Sequence, residues 1–176
     1  MKEESKESPE ESCKPKESKE SIMKRADRML QLFNQIIGEP LKDYPVPPFT
    51  KWINGSILSA KRGEIEMEIL TRKEMANPTG ILHGGMQSAI LDDLIGITCA
   101  SLGYQGFLLT IDMHIDFLGK VKVGEKVFGR SSIVREGNQI VHARAELRNE
   151  KEDLVATAES NLLITHKKPN YVENKK

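Results

Sequence analysis

The sequence predicts an α+β protein in which an antiparallel sheet wraps around one long apolar helix. Three observations carry this. The strand-like segments come as two before and four after a single long helical run, an order that gives an antiparallel sheet rather than a parallel one. The helical run GGMQSAILDDLIGITCASLG has Ile90, Leu91, Leu94, Ile95 and Ile97 around most of its circumference, so it is expected to be buried on nearly all sides. Finally, FLLTIDMHIDFL alternates with the period of a strand. Leu109, Ile111, Met113, Ile115 and Phe117 fall on one face, and Leu108, Thr110, Asp112, His114 and Asp116 on the other.

The elements follow in order. Residues 1–21 are almost entirely Lys, Glu, Ser and Pro and cannot bury enough apolar surface to offset chain entropy, which predicts a disordered charged tail. Residues 22–47 hold a peripheral helix and a connector. Ile22, Ala26, Met29, Leu30, Phe33, Ile36 and Ile37 recur at helical spacing, Ser21 is the expected N-cap, and Gly38 with Pro40 supplies the stop. The proline-punctuated LKDYPVPPFT reads as a loop or extended connector. The main domain spans 48–168. Its strands begin from Trp52 onward, with GSILSAKRGEIEMEIL as a hairpin turning near Lys61 to Gly63. After the long helix and the 107–118 strand come EKVFGRSSIVRE, NQIVHARAELRNE and DLVATAESNLLITH as further strands. Residues 169–176 are a polar tail.

Composition excludes several classes of function. The 176 residues hold 26 Lys plus Arg and 26 Asp plus Glu, so no global basic field points to nucleic acid or to an anionic membrane. The longest apolar stretch is too short to span a bilayer, and the glutamate-rich start fits neither a signal core nor a transit peptide. Cys13 and Cys99 form no disulfide framework, which makes the cytoplasm the expected compartment.

The chemistry concentrates in NPTGILHGGMQSAILDDLIG. At helical spacing Gly85, Ser88, Asp92, Gly96 and Cys99 share one stripe, small at every position except the aspartate. Such a stripe admits another backbone or an extended ligand, and makes Gly85 and Ser88 candidate substrate contacts. Asp93 lies with Ala89, Ile90 and Ile97, and is expected to be salt-bridged at the helix edge or satisfied by backbone donors. Taken alone, Asp92 reads more readily as a helix aspartate paired with a lysine or arginine. Its company matters: His83, Gly84 and Gly85 stand at the helix N-terminus, where free amides and the macrodipole favour negative charge. A carboxylate with an oxyanion donor suits a thioester, whose thiolate (thiol pKa about 8.5) departs without a general acid.

The pattern N-x-x-G-x-x-H-G-G-x(6)-D, here Asn77, Gly80, His83, Gly84, Gly85 and Asp92, resembles the hotdog-fold acyl-CoA thioesterases of the phenylacetate-pathway and thioesterase-superfamily-member type. TIDMHIDFLGKVKVGEKV is similar to their third strand and following turn, and the resemblance runs from about Trp52 to His166. It implies the hotdog fold, with an extra N-terminal helix here, and hydrolysis of an acyl-CoA to free acid and coenzyme A. Asp92 would act as base or nucleophile. The Gly84 amide would polarise the carbonyl, Asn77 would help to place the water or thioester, and His83 would shape the entrance loop. Thr110 would assist the acid. It also implies sites shared between two subunits, hence a homodimer or a dimer of dimers, with no cofactor beyond the coenzyme A of the substrate. The alternatives are a non-catalytic acyl-CoA-sensing domain and a dehydratase acting on hydroxyacyl thioesters.

Other residues make weaker candidates. Lys120, Lys122 and Arg135 are cations available to coenzyme A phosphates, although surface solvation accounts for each equally well. Asp112, His114 and Asp116 have strand spacing for a metal, but an exposed polar face is the commoner cause, and no metal is expected. His142 and His166 read as ordinary strand residues, and Ser131-Ser132 lacks a nucleophile elbow. Cys99 is expected to be a small buried filler.

Overall fold

A computed structural model describes residues 17–167. The predicted 169–176 tail, Cys13 and most of the 1–21 tail lie outside the described residues. The sheet has six strands in the order β1-β2-β4-β5-β6-β3, every pairing antiparallel. These are β1 (Ser56–Lys61), β2 (Glu64–Leu70), β3 (Leu108–Phe117), β4 (Lys126–Glu136), β5 (Ile140–Asn149) and β6 (Leu154–Ile164). The long helix α3 (Gly84–Ala100) crosses the sheet and buries Gln87, Ile90, Leu91, Leu94, Ile95, Thr98 and Cys99. It seats closely because β4 carries Gly129 under it, where a Cβ would come within 2.7 Å of Leu94 Cδ2.

Two helices precede the sheet. In α1 (Lys19–Gln35) the N-cap is Ser18, whose hydroxyl accepts from the Ser21 amide at 3.2 Å. The cap is thus three residues upstream of the expected Ser21, and the last three residues of the predicted tail are helical. The side-chain acceptor has to stand three residues before the amide it satisfies, and Ser18 is so placed. The apolar stripe faces inward as expected, with Ala26 buried and Leu30, Phe33 and Ile36 half-buried against the core.

The connector is not a loop throughout: α2 (Pro48–Ile53) occupies its end and takes in Trp52, so the first strand begins only at Ser56. Pro48 stands in the first turn, where its locked φ suits a helix and its missing N–H costs nothing. Asn54, left-handed at φ 56°, ends it.

β3 departs from prediction in register. It pairs regularly from Leu108↔Ile164 to Thr110↔Leu162 and again from Asp112↔Asn161 to Phe117↔Ala156, with Ile111 as an extra residue between them. This bulge reverses the faces across it. Leu108 and Thr110 face α3 together with Met113, Ile115 and Phe117, while Leu109, Ile111, Asp112, His114 and Asp116 face outward. β3 is also the sheet edge, and nearly all of it is exposed: Ile111 by 56% and Phe117 by 55%.

Candidate active site

The loop before α3 is built around Asn77, whose Oδ1 accepts from the Thr79 amide (2.9 Å), the Thr79 hydroxyl (2.7 Å) and the Ile81 amide (3.4 Å). That oxygen is consumed in holding the turn, which leaves the side-chain NH₂ as the free end of Asn77. Next, His83 caps the helix, its Nδ1 accepting from the Gly85 amide at 2.9 Å, so its ring proton resides on Nε2. A side chain at 85 would crowd this ring, since a Cβ there would lie 3.1 Å from Nδ1. The two glycine amides therefore differ. Gly85's is taken, whereas no acceptor among the described residues takes Gly84's. Gly84 is not required by packing, because an added Cβ would make only ordinary contact, 3.5 Å, with the Phe117 ring. What glycine leaves there is an unobstructed N–H at the positive end of a 17-residue helix.

Asp92 lies two turns further along, on the one side of α3 that neither sheet nor α2 covers. The predicted burial on nearly all sides thus fails along this stripe: Gly85 and Asp92 are exposed and Gly96 meets nothing within 4 Å. The bulge aims Thr110 at it, and the Thr110 hydroxyl donates to Asp92 Oδ1 at 2.9 Å, leaving Oδ2 open. Ser88, on the same stripe, spends its hydroxyl on the Gly84 carbonyl at 3.0 Å. Cys99 leaves the stripe for the core, and burial pushes its thiol up to about 12, out of nucleophilic range.

Among the described residues, Asp93 has neither a salt-bridge partner nor a backbone donor. Its partner is the Thr50 hydroxyl of α2, donating to Oδ1 at 2.6 Å. Burial chiefly, with the neighbouring Asp92 charge adding to it, raises its carboxyl from 3.8 to about 6 despite that bond. Unfolding returns Asp93 to water. Between about pH 4 and 6 the folded chain therefore keeps a proton that the unfolded chain has lost, and stability falls as pH rises through that window. Above pH 6 the full penalty, on the order of 2–3 kcal/mol, is present. Asp93→Asn keeps an acceptor for Thr50 and removes the charge. It should raise the Tm at pH 7 by several degrees and flatten the pH 4–6 slope in thermal melts. A lower Tm at pH 7 would contradict this account.

The remaining candidates are dispersed. Lys120 and Lys122 are exposed on the segment after β3, where Lys122 bridges Ile81 beside the start of α3. Arg135 is exposed at the far end, next to Glu136, whose partner Arg62 binds the Leu102 carbonyl just past α3. Within one chain they do not converge. Asp112 is taken by Asn161, His114 stands 3.6 Å from Asp116, and no metal-holding cluster of His, Cys, Asp or Glu occurs among the described residues. Ser131 faces the core and Ser132 accepts from Arg144, both in mid-strand. His166 is exposed beyond β6, and no described helix is long and apolar enough to cross a membrane.

Residues 79–156 match the model of the thioesterase superfamily. The described fold matches the phenylacetic acid degradation-related protein of Ralstonia eutropha, 26% identical, at a TM-score of 0.66 over 80% of this chain and 99% of that one. Over residues 79–156 the chain is similar to the thioesterase superfamily. Its six-stranded sheet on one long helix is the hotdog fold of that family. Human acyl-coenzyme A thioesterase 13 is 25% identical over 96 residues, 53% of this chain and 67% of the relative. The medium/long-chain acyl-CoA thioesterase YigI of Escherichia coli is 31% identical over 101 residues, 48% of this chain and 63% of the relative. The family match contains Gly84, Asp92 and Thr110, begins two residues after Asn77, and excludes α1 and α2 with Thr50.

Proposed function

We propose that this chain is a thioesterase-superfamily enzyme that hydrolyses acyl-coenzyme A to free acid and coenzyme A, at two sites shared across a homodimer. The observation that carries the proposal is one of spacing. The open carboxylate of Asp92 and the free Gly84 amide are eight residues apart on one straight helix, roughly 12 Å at the usual rise. A carbonyl polarised by an amide about 3 Å away is out of reach of that same chain's Asp92. A second copy, added along the exposed edge of β3, brings a Gly84 to the Asp92 of the first and covers Ile111 and the open stripe.

In the assembled site the dipole and amide of Gly84 stabilise the developing oxyanion. Asp92, oriented by Thr110 through Oδ1, presents Oδ2 to a water or to the thioester carbon itself. Thiolate leaves without a proton donor. Asn77, whose NH₂ the turn does not use, is assigned to place the water or the thioester, and His83 holds the loop open by taking the competing Gly85 amide. Lys120 and Arg135, at opposite ends of α3 in one chain, meet the coenzyme A phosphates singly. A reducing cytoplasm suits the buried free thiol of Cys99.

Release of free thiol from a panel of short, medium, long and aromatic acyl-CoAs tests the reading. Turnover of at least one supports it. Binding across the panel without thiol release would favour an acyl-CoA-sensing domain instead.

A further inference from the structure

We infer that Asp112, Asn161 and His142, on the face of the sheet away from the site, are positioning residues for Asp92, acting through the β3 bulge. The inference rests on the assignment of Asp92 and Thr110 to the reaction. Carried back without the bulge from its Asp112–Phe117 register, β3 would put Ile111 opposite Leu162 and turn Thr110 outward. An isoleucine would then face Asp92, and the hydroxyl would be on the wrong side. Ile111 as the extra residue is therefore what gives the carboxylate its donor.

The bulge is held from both faces. On the outer side the Asp112 carboxylate accepts from the Asn161 backbone amide at 3.2 Å and from Asn161 Nδ2 at 3.1 Å on each oxygen. Asn161 is itself oriented by His142, whose Nδ1 lies 3.0 Å from Asn161 Oδ1. Because Nδ2 donates to Asp112, Oδ1 is the acceptor, and His142 carries its proton on Nδ1. On the inner side the fully buried Ser160 donates its hydroxyl to the Asp112 carbonyl at 2.7 Å. A bulge breaks the regular ladder, and these side chains bond the backbone groups beside it. Side-chain contacts thus run from His142 through Asn161 to Asp112, and the backbone of the bulge joins Asp112 to Thr110, whose hydroxyl meets Asp92 across the sheet.

The test is a double-mutant cycle on kcat for the best acyl-CoA. Thr110→Ala and Asn161→Ala should each lower kcat by about tenfold or more with KM little changed, as expected for losing a hydrogen bond to a charged group. The double variant should be no slower than Thr110→Ala alone. His142→Ala, which only frees the Asn161 amide, should show a smaller loss with the same non-additivity, and keeps the test available if Asn161→Ala misfolds. Losses that multiply in the double variant, or an Asn161→Ala enzyme with unchanged kcat, would overturn the inference and leave the hydrolase reading standing. If the wild-type chain turns over no acyl-CoA, the proposed function fails, and the crystal structure of Asn161→Ala decides the bulge separately. Thr110 displaced from Asp92 supports the inference, and an intact 2.9 Å contact overturns it.

Discussion

Asp92→Asn should lower kcat for acyl-CoA hydrolysis by about 10²–10⁴-fold, the usual contribution of a positioned base. The replacement is isosteric, and its side-chain oxygen still accepts from Thr110, so the geometry at 2.9 Å is retained while the charge and basicity are lost. KM should stay within about threefold, because the substrate is still bound by the rest of the site. Asp93→Asn is the matched control one residue along. It lies on a buried side of the helix, bonded to Thr50, and should change stability with pH far more than turnover. Steady-state kinetics of the two variants, with melting curves alongside, separate the roles. Intact turnover in Asp92→Asn would remove the catalytic assignment.

Gly84→Pro should cost about 10²–10³-fold in kcat, the effect of deleting one oxyanion donor. Few positions allow a backbone amide to be removed so cleanly. Gly84 is the first residue of α3, where proline is favoured and the N–H is not used by the helix. His83 before it sits at φ −64° and ψ 140°, the extended conformation that a following proline requires. Gly84→Ala keeps the amide and fits against Phe117, so its kcat should remain within a few-fold of wild type. Equal losses in the two variants would show that space at position 84, and not the donor, is what the reaction needs.

Much of this site was legible because it is local. The separation of Asp92 from Asp93, the small stripe and the glycines at a helix start follow from helical periodicity and end chemistry within twenty residues. What escaped involves partners distant in the chain, or signals with two meanings. Thr50 meets Asp93 across 43 residues, and the prolines before it read as breakers although Pro48 begins α2 and Asn54 ends it. His83 as a cap was missed because Ser, Thr, Asp and Asn usually take that position. The bulge was hidden by an alternation that looks perfect. Leu109 and Ile111 are apolar on an open edge that faces away from this chain's own core, so their period does not report its packing. The long helix was read as buried on nearly all sides for a related reason: the sequence shows a stripe of small residues around Asp92, but not whether the same chain covers it.

The shared site is the central claim, and mixed dimers test it most directly. Asp92→Asn and Gly84→Pro chains, each inactive alone, are unfolded together and refolded at equal ratio. In a shared-site dimer every hybrid regains one intact site, the Asp92 of one chain facing the Gly84 of the other. Random pairing then restores about a quarter of wild-type activity. Activity no higher than that of the separate variants, with hybrid dimers present by mass, would mean that each chain builds its site alone.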